Sequence, residues 1–166
     1  MRSMFLFVLT IIALVLESTF FSWFTFGEAR VDLVLILVVF YSLFSGSKER
    51  AFFAFTAGLA QDIMVGGFIG SNALSKLVLA VVIGAVESKV YKDFLFVPLV
   101  LVFLGSLLVG SVQYTLLLPY IALPNLWSAF VDVMLPMAVY NLLVGAFTYK
   151  RFLKSVTRGW LRPFEY

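Results

Sequence analysis

The sequence predicts an all-α polytopic membrane protein: a bundle of six transmembrane helices with both termini in the cytoplasm. Three observations predict it. Of the 166 residues, 63% are hydrophobic and only 13% are charged, against about 25% in an ordinary soluble domain. Mean hydropathy is +1.07, and a soluble domain this small would need polar groups over a large surface that the chain cannot supply. Six apolar runs follow one another, and the basic residues alternate between the segments that join them. Six helices of about 20 residues take roughly 120 residues, leaving short loops and no room for a soluble domain. Residues 1–149 therefore read as one transmembrane domain and residues 150–166 as a basic cytoplasmic tail.

The first run is Met4 to Phe24, interrupted by Glu17. It resembles a signal peptide at its start, but its basic region is Arg2 alone and no small-residue cleavage site follows, so it is kept as a helix. The second is Leu33 to Phe44, opened by Val31-Asp32. The third, Ala51 to Val65, is short for a span and carries Gly58 and Asp62. The fourth, Ile69 to Val86, carries Lys76 and Gly84, and begins helically near Ser71-Asn72, both good capping residues. The fifth is Phe94 to Leu118, with Pro98 in its first turns, and the sixth is Trp127 to Tyr149, with Asp132 and Pro136 inside. Prolines inside such spans are tolerated where neighbours satisfy the freed backbone groups. The runs show no period-two alternation, which favours helices over barrel strands.

Loop charges set the orientation, because cytoplasmic loops carry excess Lys and Arg. With the N-terminus inside, the inner ends hold Arg2, Lys48, Arg50, Lys89, Lys92 and the tail residues Lys150, Arg151, Lys154, Arg158 and Arg162, ten of the 12 basic residues. The outer loops hold Arg30 alone, and Lys76 lies within a helix. Trp23, Tyr120 and Trp127 then mark the outer interface and Tyr91 and Tyr149 the inner one, as aromatic belts do. In the tail, Phe152, Val156 and Trp160 recur at four-residue spacing beside Lys154, Arg158 and Arg162. Two readings fit it: an interfacial helix on the anionic inner leaflet, or a snorkelling helix end. The net charge of +3 does not point to nucleic acid, since the basic residues mark helix ends and form no single stripe.

Composition also restricts chemistry. The chain has no His and no Cys, which removes imidazole bases, thiolate nucleophiles and the usual metal ligands. No cofactor or metal site is expected. What stands out instead is charge inside apolar segments, which costs roughly 2.5–3.5 kcal/mol per residue on insertion scales. At about 1.5 Å per residue, Glu17, Asp62, Lys76 and Asp132 all fall in the outer half of a core about 30 Å thick. Four charges on four helices at one depth predict a shared polar cluster, with Asn72 one turn from Lys76 at its rim and Asp32 at the mouth of the second helix. One reading is an outward-facing cavity for a ligand or partner. The other is an ion pair of Lys76 with Asp62 or Glu17 that fastens the bundle. Asn141 and Gln113 are expected to hydrogen-bond between helices, and Gly58, Gly84, Gly105 and Gly110 to permit close helix approach.

The third and fourth runs are the least ordinary stretch. Gly58-Leu59-Ala60-Gln61-Asp62 leads through Gly66 and Gly67 to Gly70-Ser71-Asn72-Ala73-Leu74. The start of the fourth helix brings partial positive charge near Asp62, and no Gly-Lys-Ser/Thr phosphate loop is present. This stretch resembles the rod shape-determining MreD family, which carries a Gly-Leu-x-x-Asp element, a glycine-bearing turn and Gly-x-Asn-Ala-Leu or close variants. Arg30-Val31-Asp32-Leu33 is similar to the family's Pro-Asp-Leu element, with Val31 in place of the proline. The family-motif positions are thus Asp32, Gly58, Asp62, Gly70 and Asn72.

The resemblance implies a non-enzymatic scaffold in the bacterial inner membrane. It would bind MreC, a single-span protein with a periplasmic domain, within the cell-elongation machinery of MreB, RodA and the elongation transpeptidase that builds lateral peptidoglycan. Two surfaces are candidates for the MreC helix: a groove at Gly105 and Gly110 on the fifth helix, and the Phe-rich first helix. The family is also similar in fold to the S-components of energy-coupling-factor vitamin transporters, which implies a second reading, capture of a small vitamin-like solute in an outward cavity. S-components dock through alanine-rich patches on their first helix, where this chain has only Ala13. An intramembrane enzyme is the weakest class, since no nucleophile–base constellation exists and nothing fixes the separation of Asp62 and Asp132.

Overall fold

A computed structural model describes residues 2–19, 30–66, 68–87, 96–120 and 125–158, with side chains over 6–154 of these. The described residues are helical and contain no strand. The helices are α1 (Arg2–Thr19), α2 (Leu33–Phe44), α3 (Ser47–Val65), α4 (Ser71–Val86) and α5 (Phe96–Leu117). The last, α6, is three continuous segments: Leu126–Ala129, a π-helical turn Phe130–Met134, and Leu135–Arg158. Two stretches are long and apolar enough to cross a membrane, Phe96–Leu117 and Leu126–Lys154.

α2 is the axis of the bundle. Nine of its 12 residues are buried, and it touches every other helix. A helix apolar on all sides belongs in the middle of such a bundle, and the run Leu33–Phe44 has no polar face to present elsewhere. Val34, Leu35, Val38, Val39 and Leu43 are fully enclosed. Leu79, Ala80 and Ile83 of α4, Val102 and Val109 of α5, and Ala54 and Ala57 of α3 close around it. Phe40 meets Tyr149 edge-on at 5.0 Å and Phe152 at 5.4 Å.

α3 and α4 form the most closely packed pair. Gly58 is the reason: a Cβ there would lie 2.6 Å from the Asn72 carbonyl oxygen and 2.7 Å from the Ala73 Cα. The turn between the two helices needs glycine as well. Gly66 ends α3 at φ 72°, donating to the Asp62 carbonyl, and Gly70 opens α4 at φ 103°, left-handed conformations that cost other residues. In α6 the π-helical turn lies just before Pro136, which has no N–H to return to the Asp132 carbonyl. A widened turn is one way a helix accommodates a proline ring.

α1 is held differently. It packs on α2 and α3, burying Leu6, Thr10, Ala13 and Leu14, while Phe7, Val8, Ile11, Ile12, Val15 and Leu16 face outward. An apolar groove runs along each side of it. One, of about 460 Å³, lies between α1, α2 and α3. The other, of about 620 Å³, lies between α1, α2 and α6.

Several expectations are refined. Tyr149 does not face an interface; it is 1% exposed, because its ring packs edge-on against Phe40. Tyr120 and Trp127 do face outward, at 70% and 73%, whereas Trp23 and Tyr91 lie outside the described residues. α6 continues unbroken to Arg158, so residues 150–158 of the tail extend the last helix; Trp160 and Arg162 lie outside the described residues, as do Lys89 and Lys92.

Candidate functional site

The ends of the bundle differ in chemistry. The end holding Glu17, Asp32, Asp62 and Ser71 is here called the polar end; the opposite one, holding Lys48, Lys150 and Lys154, is the basic end. At the polar end one hydrogen-bonded network joins all six helices.

Its centre is Lys76, fully buried on α4. Lys76 Nζ donates to Asp32 Oδ2 at 2.7 Å and to Asn72 Oδ1 at 3.0 Å. Asp32 is the N-cap of α2, and its Oδ1 accepts from the Leu35 backbone N–H at 2.7 Å, the usual satisfaction of an orphan donor at a helix start. One carboxylate thus caps a helix and neutralises a buried ammonium. The partner expected for Lys76 was Asp62 or Glu17; Asp32 takes that place, because the cap conformation turns its second oxygen toward α4.

From this pair the network spreads outward. Gln61 Nε2 of α3 donates to Glu17 Oε1 of α1 at 2.7 Å and lies 3.4 Å from Asp32 Oδ1. The Asp32 backbone N–H donates to Asn141 Oδ1 of α6 at 2.8 Å, and Asn141 Nδ2 donates to Ser106 Oγ of α5 at 2.9 Å. Gln113 Nε2 of α5 donates to Asn72 Oδ1 at 2.7 Å. Two buried acceptors, Glu17 Oε2 and Gln61 Oε1, have no hydrogen-bond partner among the described residues.

Asp62 has a separate task. It is 2% exposed and faces the start of α4, where Oδ2 accepts from the Gly70 N–H at 2.8 Å and the Ala73 N–H at 3.2 Å. Oδ1 accepts from the Asn72 N–H at 3.0 Å, Asn72 Nδ2 at 2.9 Å and Ser71 Oγ at 3.3 Å. The N-cap residue itself, Gly70, has no side chain to offer, so the preceding helix supplies the cap. A carboxylate suits the positive end of the helix dipole. Gly58 and Asp62, four residues apart, share one face of α3: the first admits the α4 backbone and the second binds it.

The structure therefore brings together Glu17, Asp32, Asp62, Asn72 and Lys76, and leaves out Asp132. Asp132 is exposed. The inward face of α6 is set by Met134, Ala138, Asn141 and Tyr149, and Asp132 stands nine residues before Asn141, about two and a half turns away and so on the opposite side. Gly105 and Gly110 are corrected too. Both are buried, and they receive this chain's own side chains: a Cβ would lie 2.9 Å from Leu79 Cδ1 at Gly105 and 2.9 Å from Met134 Cγ at Gly110. They form no groove for another helix.

One feature escaped the sequence. Arg50, read there as a loop cation, is 4% exposed, and its guanidinium donates to Glu87 Oε1 at 2.6 Å. It crosses α4 at Gly84, where a Cβ would lie 3.0 Å from Arg50 Nη1. The signal available was the glycine three residues before Glu87. Among the described residues no three His, Cys, Asp or Glu side chains cluster to hold a metal ion.

The comparisons with known proteins agree with the motif. No curated protein and no solved structure matches this chain. The family described as rod shape-determining protein MreD matches residues 1–154. That span contains every motif position and all of the bundle except the last four residues of α6; the chain belongs to the rod shape-determining MreD family.

Proposed function

We propose that this protein is a six-span, non-enzymatic scaffold of the bacterial cytoplasmic membrane, with the polar end outward and both termini inside. In this reading it binds the transmembrane helix of MreC within the elongation complex of MreB, RodA and the elongation transpeptidase, and so supports rod shape. The basic residues at one end support the orientation. A reporter fused at residue 67 reads periplasmic if it is right; a cytoplasmic signal there overturns it.

The observation that carries the partner assignment is the groove between α1 and α3. Its α3 wall is Phe52, Phe53, Thr56, Ala57 and Ala60. Thr56 and Ala60 are one turn apart and small, which is how membrane helices approach one another when lipid offers no hydrophobic contrast. Glu49 lies at the basic end of the same groove. A single-span protein with its soluble domain outside carries its basic flank inside, and Glu49 stands where that flank arrives. The polar network favours this scaffold reading over solute capture, because most of its donors and acceptors are satisfied by one another.

Because the chain has no cysteine, disulfide scanning needs no altered background. Thr56→Cys is expected to cross-link to a cysteine in the MreC helix, and Ala60→Trp to abolish co-purification of MreC while the protein stays in the membrane. An Ala60→Trp protein that loses MreC yet still supports rod shape overturns the mechanism.

A further inference from the structure

The second groove flanking α1 differs from the first at its basic end. Its walls are Leu9, Ile12 and Leu16 of α1, Ile36 and Phe40 of α2, and Leu143 and Phe147 of α6. Where the first groove ends in Glu49, this one ends in Arg151. The Arg151 guanidinium lies over the Phe147 ring at 5.6 Å, which holds its charge against the apolar wall. Lys154, exposed on α6, continues the same face toward the end of the helix. From Leu143 to Arg151 the groove follows α6 for about 12 Å, an apolar channel with a cation at one mouth.

We propose that this groove is a binding site for an anionic phospholipid of the cytoplasmic leaflet, with an acyl chain along Leu143 and Phe147 and the headgroup phosphate on Arg151 and Lys154. Charge decides between the two grooves. A phosphate is favoured at Arg151, since basic pockets between membrane helices on the cytoplasmic side select anionic headgroups. It is disfavoured at Glu49. A guanidinium also presents paired donors that match phosphate oxygens. The lipid would wedge between α1 and α6, which explains how α1 stays in place with one face unfilled. The inference rests on the membrane orientation proposed above and not on the identity of the protein partner.

The test is native mass spectrometry of the full-length protein released from mixed micelles of phosphatidylglycerol and phosphatidylethanolamine. Wild-type protein is expected to retain phosphatidylglycerol in preference. Arg151→Gln should lower that preference about fivefold, the size expected for one basic side chain at an anionic surface. Arg151→Lys should keep most of it, and Glu49→Gln should leave it unchanged. Leu143→Trp, which fills the channel, should lower retention of both lipids. Equal retention of the two lipids by wild type, or unchanged preference in Arg151→Gln, overturns the site while leaving the membrane reading intact. Retention of neither lipid counts against both. A photo-cross-linker at Leu143 that captures a protein helix in cells, and no lipid, also overturns it.

Discussion

Among the described residues two cations are buried, Lys76 and Arg50, and their surroundings differ. Lys76 at the polar end is enclosed by a network that also includes a helix cap, four side-chain amides and contributions from all six helices. Arg50 at the basic end meets Glu87, while its Nε and Nη1 have no hydrogen-bond partner among the described residues. Lys76–Asp32 joins α4 to the axial helix across 44 residues of sequence. Arg50–Glu87 joins α3 to the end of α4, two helices already clamped by Gly58 and Asp62. The first pair therefore fixes tertiary structure, and the second reinforces a hairpin that other contacts specify. Burial alone does not measure how much a charge matters; what counts is whether the rest of the structure has arranged itself around it.

The largest effect that follows is at Lys76. Lys76→Met leaves the Asp32 carboxylate without its cation and is expected to cost about 3–5 kcal/mol, read as near-complete loss of the protein from membranes. Adding Asp32→Asn removes the stranded charge while keeping an N-cap side chain, and should restore more than half of the abundance. A double variant no better than the single one breaks the claim that the pair is the centre of the network.

Gly58→Val comes next, since the obstruction is the α4 backbone at Asn72 and Ala73 and cannot swing aside. Overpacking of this kind costs about 1–3 kcal/mol, and a lowered thermal midpoint with lost cross-linking between α3 and α4 is the expected readout. Arg50→Gln should cost less, about 1 kcal/mol, because Glu87 is 22% exposed and can regain water. If Arg50→Gln proves as damaging as Lys76→Met, the contrast between the two ends fails. Asp132→Ala should leave abundance, thermal midpoint and rod shape unchanged, since its outward position contacts no member of the network; loss of rod shape with the fold intact would instead mark that face as a second docking surface.

Much of this was legible in the residues. The run Leu33–Phe44 is apolar throughout and became the buried axis with those same bounds. Gly58, the glycines of the turn and Asn72 announced a tight hairpin, and the hairpin forms. The depth argument gathered Glu17, Asp62 and Lys76, and hydrogen bonds through Gln61, Asp32 and Asn72 link these three side chains. It failed at Asp132 because depth along a helix says nothing about which side a residue faces. Counting turns back from Asn141 would have placed it outward. The glycines of α5 misled for a related reason: a small residue marks a close approach, and whether the visitor is a partner or the chain's own Leu79 and Met134 depends on neighbours not yet positioned.

What the sequence determined by itself was the class of molecule, the helices and the family, because hydropathy, turn chemistry and a short motif are local. Only the tertiary structure decided the pairing of Lys76 with Asp32, the use of Asp62 as a cap for the next helix, and the opposite charges at the mouths of the two grooves beside α1. These depend on rotation about helix axes. Packing sets that rotation, since each helix turns until its small and polar residues meet their counterparts on its neighbours.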